Sequence, residues 1–121
     1  MNTYNNIQPI NILLLENNPS TIKIAQEAIG ETPLHNNTLT IIMNTEEAIL
    51  YLKKIDKFKN AETPDIILLD LKLPMGGGLE ILKEITSNSI LKVIPVIILT
   101  NSVSEKIALK WLLKPPFELY N

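Results

Sequence analysis

Asp70 ends the run Ile66-Ile67-Leu68-Leu69, and Glu16-Asn17 end the run Ile12-Leu13-Leu14-Leu15. Thr100 ends a third run of the same kind, Val96-Ile97-Ile98-Leu99. Four apolar residues in succession read as a strand buried on both faces, and Pro64 and Pro95 stand as breakers ahead of two of these runs. A polar group at the end of such a strand emerges at the carboxyl edge of a parallel sheet, where open α/β sheets place ligands and chemistry. Carboxyl and amide oxygens gathered there suit a hard cation such as Mg²⁺. A carboxylate beside a cation and a hydroxyl suits acceptance of a phosphoryl group, because that transfer depends on alignment and charge neutralisation. Asp70 is therefore the first candidate for chemistry, with Glu16, Asn17 and Thr100 around it.

The elements needed to bring these residues together can be read along the chain. Ile10 to Leu15 is a first strand. Asn18-Pro19 starts a helix, with a capping side chain followed by proline at the first helical position. Ile22, Ala25 and Ile29 recur at helical spacing, and Gly30 marks the stop. Thr38 to Met43 is a second strand. Asn44 and Glu47 form a capping-box pattern for a second helix, whose apolar stripe is Ala48, Leu52 and Ile55. Lys53 to Thr63 reads as frayed helix and loop. Ile66 to Asp70 is the third strand, Met75 to Gly78 a flexible turn, and Leu79, Leu82 and Ile85 drive a third helix. Pro95 to Thr100 is the fourth strand, and Ser104 caps a last helix carrying Ile107, Ala108, Trp111 and Leu112. Alternation of this kind predicts an α/β fold, a doubly wound parallel sheet of the flavodoxin-like type with strand order 2-1-3-4. Strands 1 and 3 are then neighbours, as are 3 and 4, so Glu16, Asn17, Asp70 and Thr100 converge.

Composition excludes several function classes. The 121 residues predict one domain with a sizeable core, with 45% apolar and 20% charged residues. A formal net charge of −2, without a Lys/Arg run interleaved with aromatics, argues against nucleic acid as a partner. Cysteine is absent, which removes disulfides, thiolate metal sites and thiol nucleophiles. No apolar run approaches the length of a membrane span, and Met1 to Gln8 lack the apolar stretch of a secretory signal, so a cytoplasmic location is expected.

The segments Ile12 to Pro19, Glu47 to Leu52, Pro64 to Pro74, Gly78 to Leu82 and Ile94 to Thr100 stand in an order and spacing that resembles the receiver domain of two-component response regulators. The likeness is closest to the single-domain subfamily associated with phytochrome-type sensor histidine kinases, and it is strongest over residues 10–104. The resemblance implies that Asp70 is the phosphoacceptor. It aligns Glu16 and Asn17 with the acidic metal-binding pair and makes the backbone carbonyl of Lys72 a third metal contact. Thr100 aligns with the switch hydroxyl, and Lys114, before Pro115, with the lysine that pairs with phosphoryl oxygens. It further implies Mg²⁺ as cofactor, a sensor histidine kinase as donor and a downstream signalling protein as receiver of the signal, with no turnover of a free metabolite.

Two departures qualify this picture. The family has aspartate where this chain has Asn17, which removes one negative charge from the metal pair. Fewer residues separate Thr100 from Lys114 than the family has, and the family's final helix has no counterpart in Pro116 to Asn121. Periodicity alone reads Ser104 to Leu113 as one amphipathic helix with Lys106, Lys110 and Lys114 along its polar face, and gives no fifth strand. A shortened C-terminus would leave apolar sheet surface open to a second copy of the chain. Both departures favour the alternative of a pseudo-receiver, a phosphorylation-independent interaction module. An Mg²⁺-dependent phosphohydrolase is disfavoured by Lys72, where such enzymes carry a second aspartate. A flavodoxin is disfavoured by Glu16-Asn17-Asn18, which is no hydroxyl-rich phosphate loop. Gly76-Gly77-Gly78 lacks the lysine and hydroxyl of a nucleotide loop, and the solitary His35 reads as solvent-facing.

Overall fold

The structure, a computed structural model, describes residues 9–30, 37–99 and 118–120. Its strands are β1 (Asn11–Leu15), β2 (Thr38–Ile42), β3 (Ile66–Asp70), β4 (Val96–Leu99) and β5 (Glu118–Tyr120). Its α-helices are α1 (Pro19–Gly30), α2 (Thr45–Lys53) and α3 (Gly77–Ser87). The five strands form one sheet in the order β2-β1-β3-β4-β5, every neighbouring pair parallel. The predicted 2-1-3-4 order is therefore present. Among the described residues no helix is long and apolar enough to cross a membrane.

Side chains alternate across a strand, so each apolar run supplies two faces. Leu13, Leu15, Ile67, Leu69, Val96 and Ile98 pack with Ala48 and Leu52 of α2 and Ile81, Leu82 and Ile85 of α3 into the main core. On the opposite face Ile12 and Leu14 are buried, while Leu68, Ile97 and Leu99 are half-buried. The start of β1 is tied to the entry of β3 from both sides. The Asn11 N–H donates to Asp65 Oδ2 at 2.7 Å, and the Asp65 N–H donates to the Asn11 carbonyl at 2.8 Å.

Local signals account for the helix boundaries. Asn18 Oδ1 accepts from the Ser20 N–H at 2.9 Å, and Asn44 Oδ1 accepts from the Glu47 N–H at 2.8 Å, so both helix starts are side-chain capped. α1 presents Ile22, Ala25 and Ile29 half-buried and contributes no fully buried residue. α2 ends at Lys53 because Lys54 adopts a left-handed cap, its N–H turned back on Leu50 and Tyr51. Ile55 consequently falls outside the helix and is exposed rather than completing its stripe.

Three expectations are corrected. Gly77 and Gly78 are not loop residues: they form the first turn of α3 and are buried. Leu79 is exposed, and Ile81 takes the core position, since both residues satisfy helical spacing with Leu82 and Ile85. A fifth strand exists, supplied by Glu118–Tyr120 in the stretch where neither strand nor helix was expected. Three residues are too few to show periodicity, and only pairing with β4 reveals them. The expected helix from Ser104 lies outside the described residues.

Where α2 and α3 begin, Thr45 covers Gly77. The Thr45 hydroxyl is buried there without a hydrogen-bond partner. An unmade buried hydrogen bond is unfavourable, so Thr45→Val, which keeps the shape and removes the hydroxyl, is expected to raise stability by about 1 kcal/mol in urea denaturation.

Candidate functional site

β1 and β3 are neighbours with Leu15 opposite Leu69, so the residues that follow, Glu16 just past β1 and Asp70 at the end of β3, stand side by side at the sheet's carboxyl edge. Both are buried, Glu16 to 4% and Asp70 to 9% relative exposure. Acidic side chains are rarely this enclosed without a partner. Here the two carboxyl groups are each other's neighbours and share a hydrogen bond. Burial, reinforced by that bond and by the charge of Asp70, pushes the Glu16 carboxyl from its ordinary 4.5 up to about 7. The backbone N–H groups of Asn18 and Asn17 pull in the opposite sense, the former donating to Glu16 Oε1 at 3.1 Å.

Asp70 is oriented by its own turn. The Lys72 N–H donates to Asp70 Oδ1 at 2.8 Å, and the chain folds over again where the Leu73 N–H meets the Asp70 carbonyl. Lys72 is exposed, and Leu71 and Leu73 on either side of it are buried in the core. This alternation anchors the turn that carries the Lys72 carbonyl. Asn17 follows Glu16 directly and is exposed.

The structure thus brings Glu16 and Asp70 together, with Asn17 and Lys72 adjoining them in the chain. Thr100 follows Leu99, the register partner of Asp70. Thr100 and Lys114 lie outside the described residues; Lys114 precedes β5 in the chain. Among the described residues no group of three or more His, Cys, Asp or Glu side chains is placed to hold a metal. Position 17, next to Glu16 in the chain, is asparagine and supplies no carboxylate.

The response regulator receiver domain model matches residues 12–114, and the chain belongs to that family. Response regulator Rcp1 of Synechocystis sp. is 37% identical over 94 residues, covering 78% of this chain and 63% of Rcp1. The chain therefore spans less than two thirds of that relative's length. The crystal structure of the phosphorylated cyanobacterial phytochrome response regulator RcpA superposes with a TM-score of 0.82 at 34% identity, covering 92% of this chain and 79% of RcpA. The Mn²⁺-bound form of Rcp1 superposes with a TM-score of 0.81 at 31% identity, covering 92% and 81%. The flavodoxin-like fold and the kinship with phytochrome response regulators are shown by these matches together with the strand order.

Proposed function

We propose that this chain accepts a phosphoryl group on Asp70 from a phosphohistidine of a sensor histidine kinase and passes the signal to a second protein. The observation that carries this reading is the buried Glu16–Asp70 carboxyl pair at the carboxyl edge of adjoining strands. Two enclosed hard-oxygen groups, one pushed toward its protonated form by burial and by its neighbour, fit a divalent cation. Glu16, Asp70, the Asn17 side-chain oxygen and the Lys72 carbonyl would hold it. The bound ion would neutralise charge on the phosphoryl group in flight.

The chain's own residues do the remaining work. An Asp70 carboxylate oxygen attacks phosphorus as the phosphorus–nitrogen bond breaks, and the electron pair returns to the departing imidazole. The Lys72 N–H holds Oδ1 and so fixes the plane of the attacking carboxylate. Leu71 and Leu73, packed in the core, keep that turn from drifting. Thr100 and Lys114 are assigned the switch hydroxyl and the phosphoryl-pairing cation on the strength of family alignment. The acyl phosphate then shifts a two-state equilibrium in which Thr100 takes part.

Intact-mass measurement after incubation with acetyl phosphate tests the proposal. A phosphoryl mass gain that requires Mg²⁺ and vanishes in Asp70→Asn is expected. No gain in the wild-type protein, or an equal gain in Asp70→Asn, would refute it and leave a phosphorylation-independent interaction module. Restoring the missing charge gives a second check. Asn17→Asp is expected to tighten Mg²⁺ binding about tenfold, since affinity at oxygen sites follows ligand charge. Unchanged affinity in a calorimetric titration would remove position 17 from the site.

A further inference from the structure

The starts of α2 and α3 border a cleft of about 780 Å³ that the phosphoacceptor chemistry does not use. Ile49, Leu50, Pro74 and Met75 give it an apolar lining, and Glu46 and Glu80 stand among its lining residues. Glu47, also at the cleft, is paired with Lys57 at 2.6 Å. Glu46 and Glu80 form no ion pair among the described residues. Acids in the first turn of a helix offset its dipole, which accounts for their sign but not for their gathering around one apolar depression.

Met75 is the second observation. Its side chain is fully exposed, and its backbone lies in the left-handed region at φ 62°. A bulky residue is disfavoured there, and a methionine that packs against nothing returns no burial for the strain. Methionine is also the apolar side chain best able to adapt to varied partners.

We infer that the α2–α3 cleft is a docking groove for a basic partner segment, one that places adjacent apolar side chains against Met75 and Ile49 with lysines or arginines beside Glu46 and Glu80. Charge complementarity selects this occupant: two carboxylates without an ion-pair partner among the described residues flank the apolar floor, so an acidic or purely apolar segment would leave them uncompensated. The groove stands apart from phosphoryl transfer, because its occupancy is read on the unmodified protein.

The probe is the peptide acetyl-Gly-Lys-Lys-Leu-Leu-Lys-Lys-Gly-amide, titrated into the ¹⁵N-labelled full chain and followed by amide shifts. Shifts confined to residues 44–50 and 74–80 are expected. Glu46→Gln with Glu80→Gln should weaken binding about tenfold. Met75→Asn should weaken it about fivefold while leaving the melting temperature unchanged or raised, since asparagine tolerates the left-handed conformation. A merely structural methionine would show the opposite pairing, lost stability with intact binding. The inference is overturned if the peptide gives no shifts, if the shifts spread over other surfaces, if a Glu-for-Lys version binds equally, or if the double charge variant binds as well as wild type.

Discussion

Alanine at position 78 is expected to destabilise the protein by about 3 kcal/mol or more and to abolish phosphoryl acceptance with it. A Cβ there would lie 2.4 Å from the Leu71 Cα and 2.7 Å from the Leu71 carbonyl oxygen. Both are backbone atoms, so no side-chain rotation relieves the clash. Either α3 lifts from the core or the turn after Asp70 shifts, and the second alternative moves the Lys72 N–H that orients the acceptor. Gly77→Ala differs in kind. Its Cβ would meet the Thr45 hydroxyl at 1.7 Å, the end of a side chain, so Thr45→Ala should recover part of the loss. Gly30→Ala serves as the control, because among the described residues nothing lies within 4 Å of its added carbon. Urea denaturation of the three variants gives the ranking. A Gly78→Ala midpoint equal to that of Gly30→Ala would show that α3 does not approach Leu71 as described.

Glu16→Gln is expected to stabilise the metal-free protein at pH 8 while removing its response to Mg²⁺. The Glu16 carboxyl is raised from 4.5 to about 7 by burial and by Asp70. A group whose folded value exceeds its unfolded value contributes its full stability below the unfolded value. That contribution is lost as pH rises through the folded one. The window here runs from pH 4.5 to about 7. A difference of this size corresponds to about 3 kcal/mol between its limits. Glutamine does not ionise, and its amide can donate to Asp70 where an ionised Glu16 cannot, so the variant should escape the loss. In saturating Mg²⁺ the wild-type protein should regain stability through binding, and the variant should gain far less. Denaturation at pH 5 and pH 8, with EDTA and with Mg²⁺, separates the effects. A variant no more stable than wild type at pH 8 in EDTA would mean that Glu16 carries its charge there at no cost.

The residues that were legible in advance are those whose signal is local. An apolar run ended by an acid marks both a buried strand and its exit, which is why Glu16 and Asp70 could be placed together from the strand order alone. Asn18 and Asn44 were legible because a cap needs only its own next turn. What escaped depends on contacts distant in the chain. Gly77 and Gly78 resemble a flexible loop by composition, yet they are small because Thr45 and Leu71 press on them. Leu79 and Ile81 fit the helical period equally, and only the position of the sheet chooses between them. Lys54 ends α2 in a left-handed cap with no glycine to announce it. The mutual enclosure that raises Glu16 is likewise a property of two strands meeting, invisible in either segment.

The central place of β1 in the sheet carries a consequence for how the molecule is made. β1 leaves the ribosome before either of its neighbours in the sheet, and one of them, β3, ends only at Asp70. Until that segment emerges, the nascent chain exposes Ile12 to Leu15 along an open edge, a template for pairing with other polypeptides. The reciprocal bonds between Asn11 and Asp65 sit where β3 begins, so they can clasp the new strand as soon as it arrives. Translation pauses that fall before β3 has left the exit tunnel should therefore raise aggregation of the unfinished product more than later pauses do.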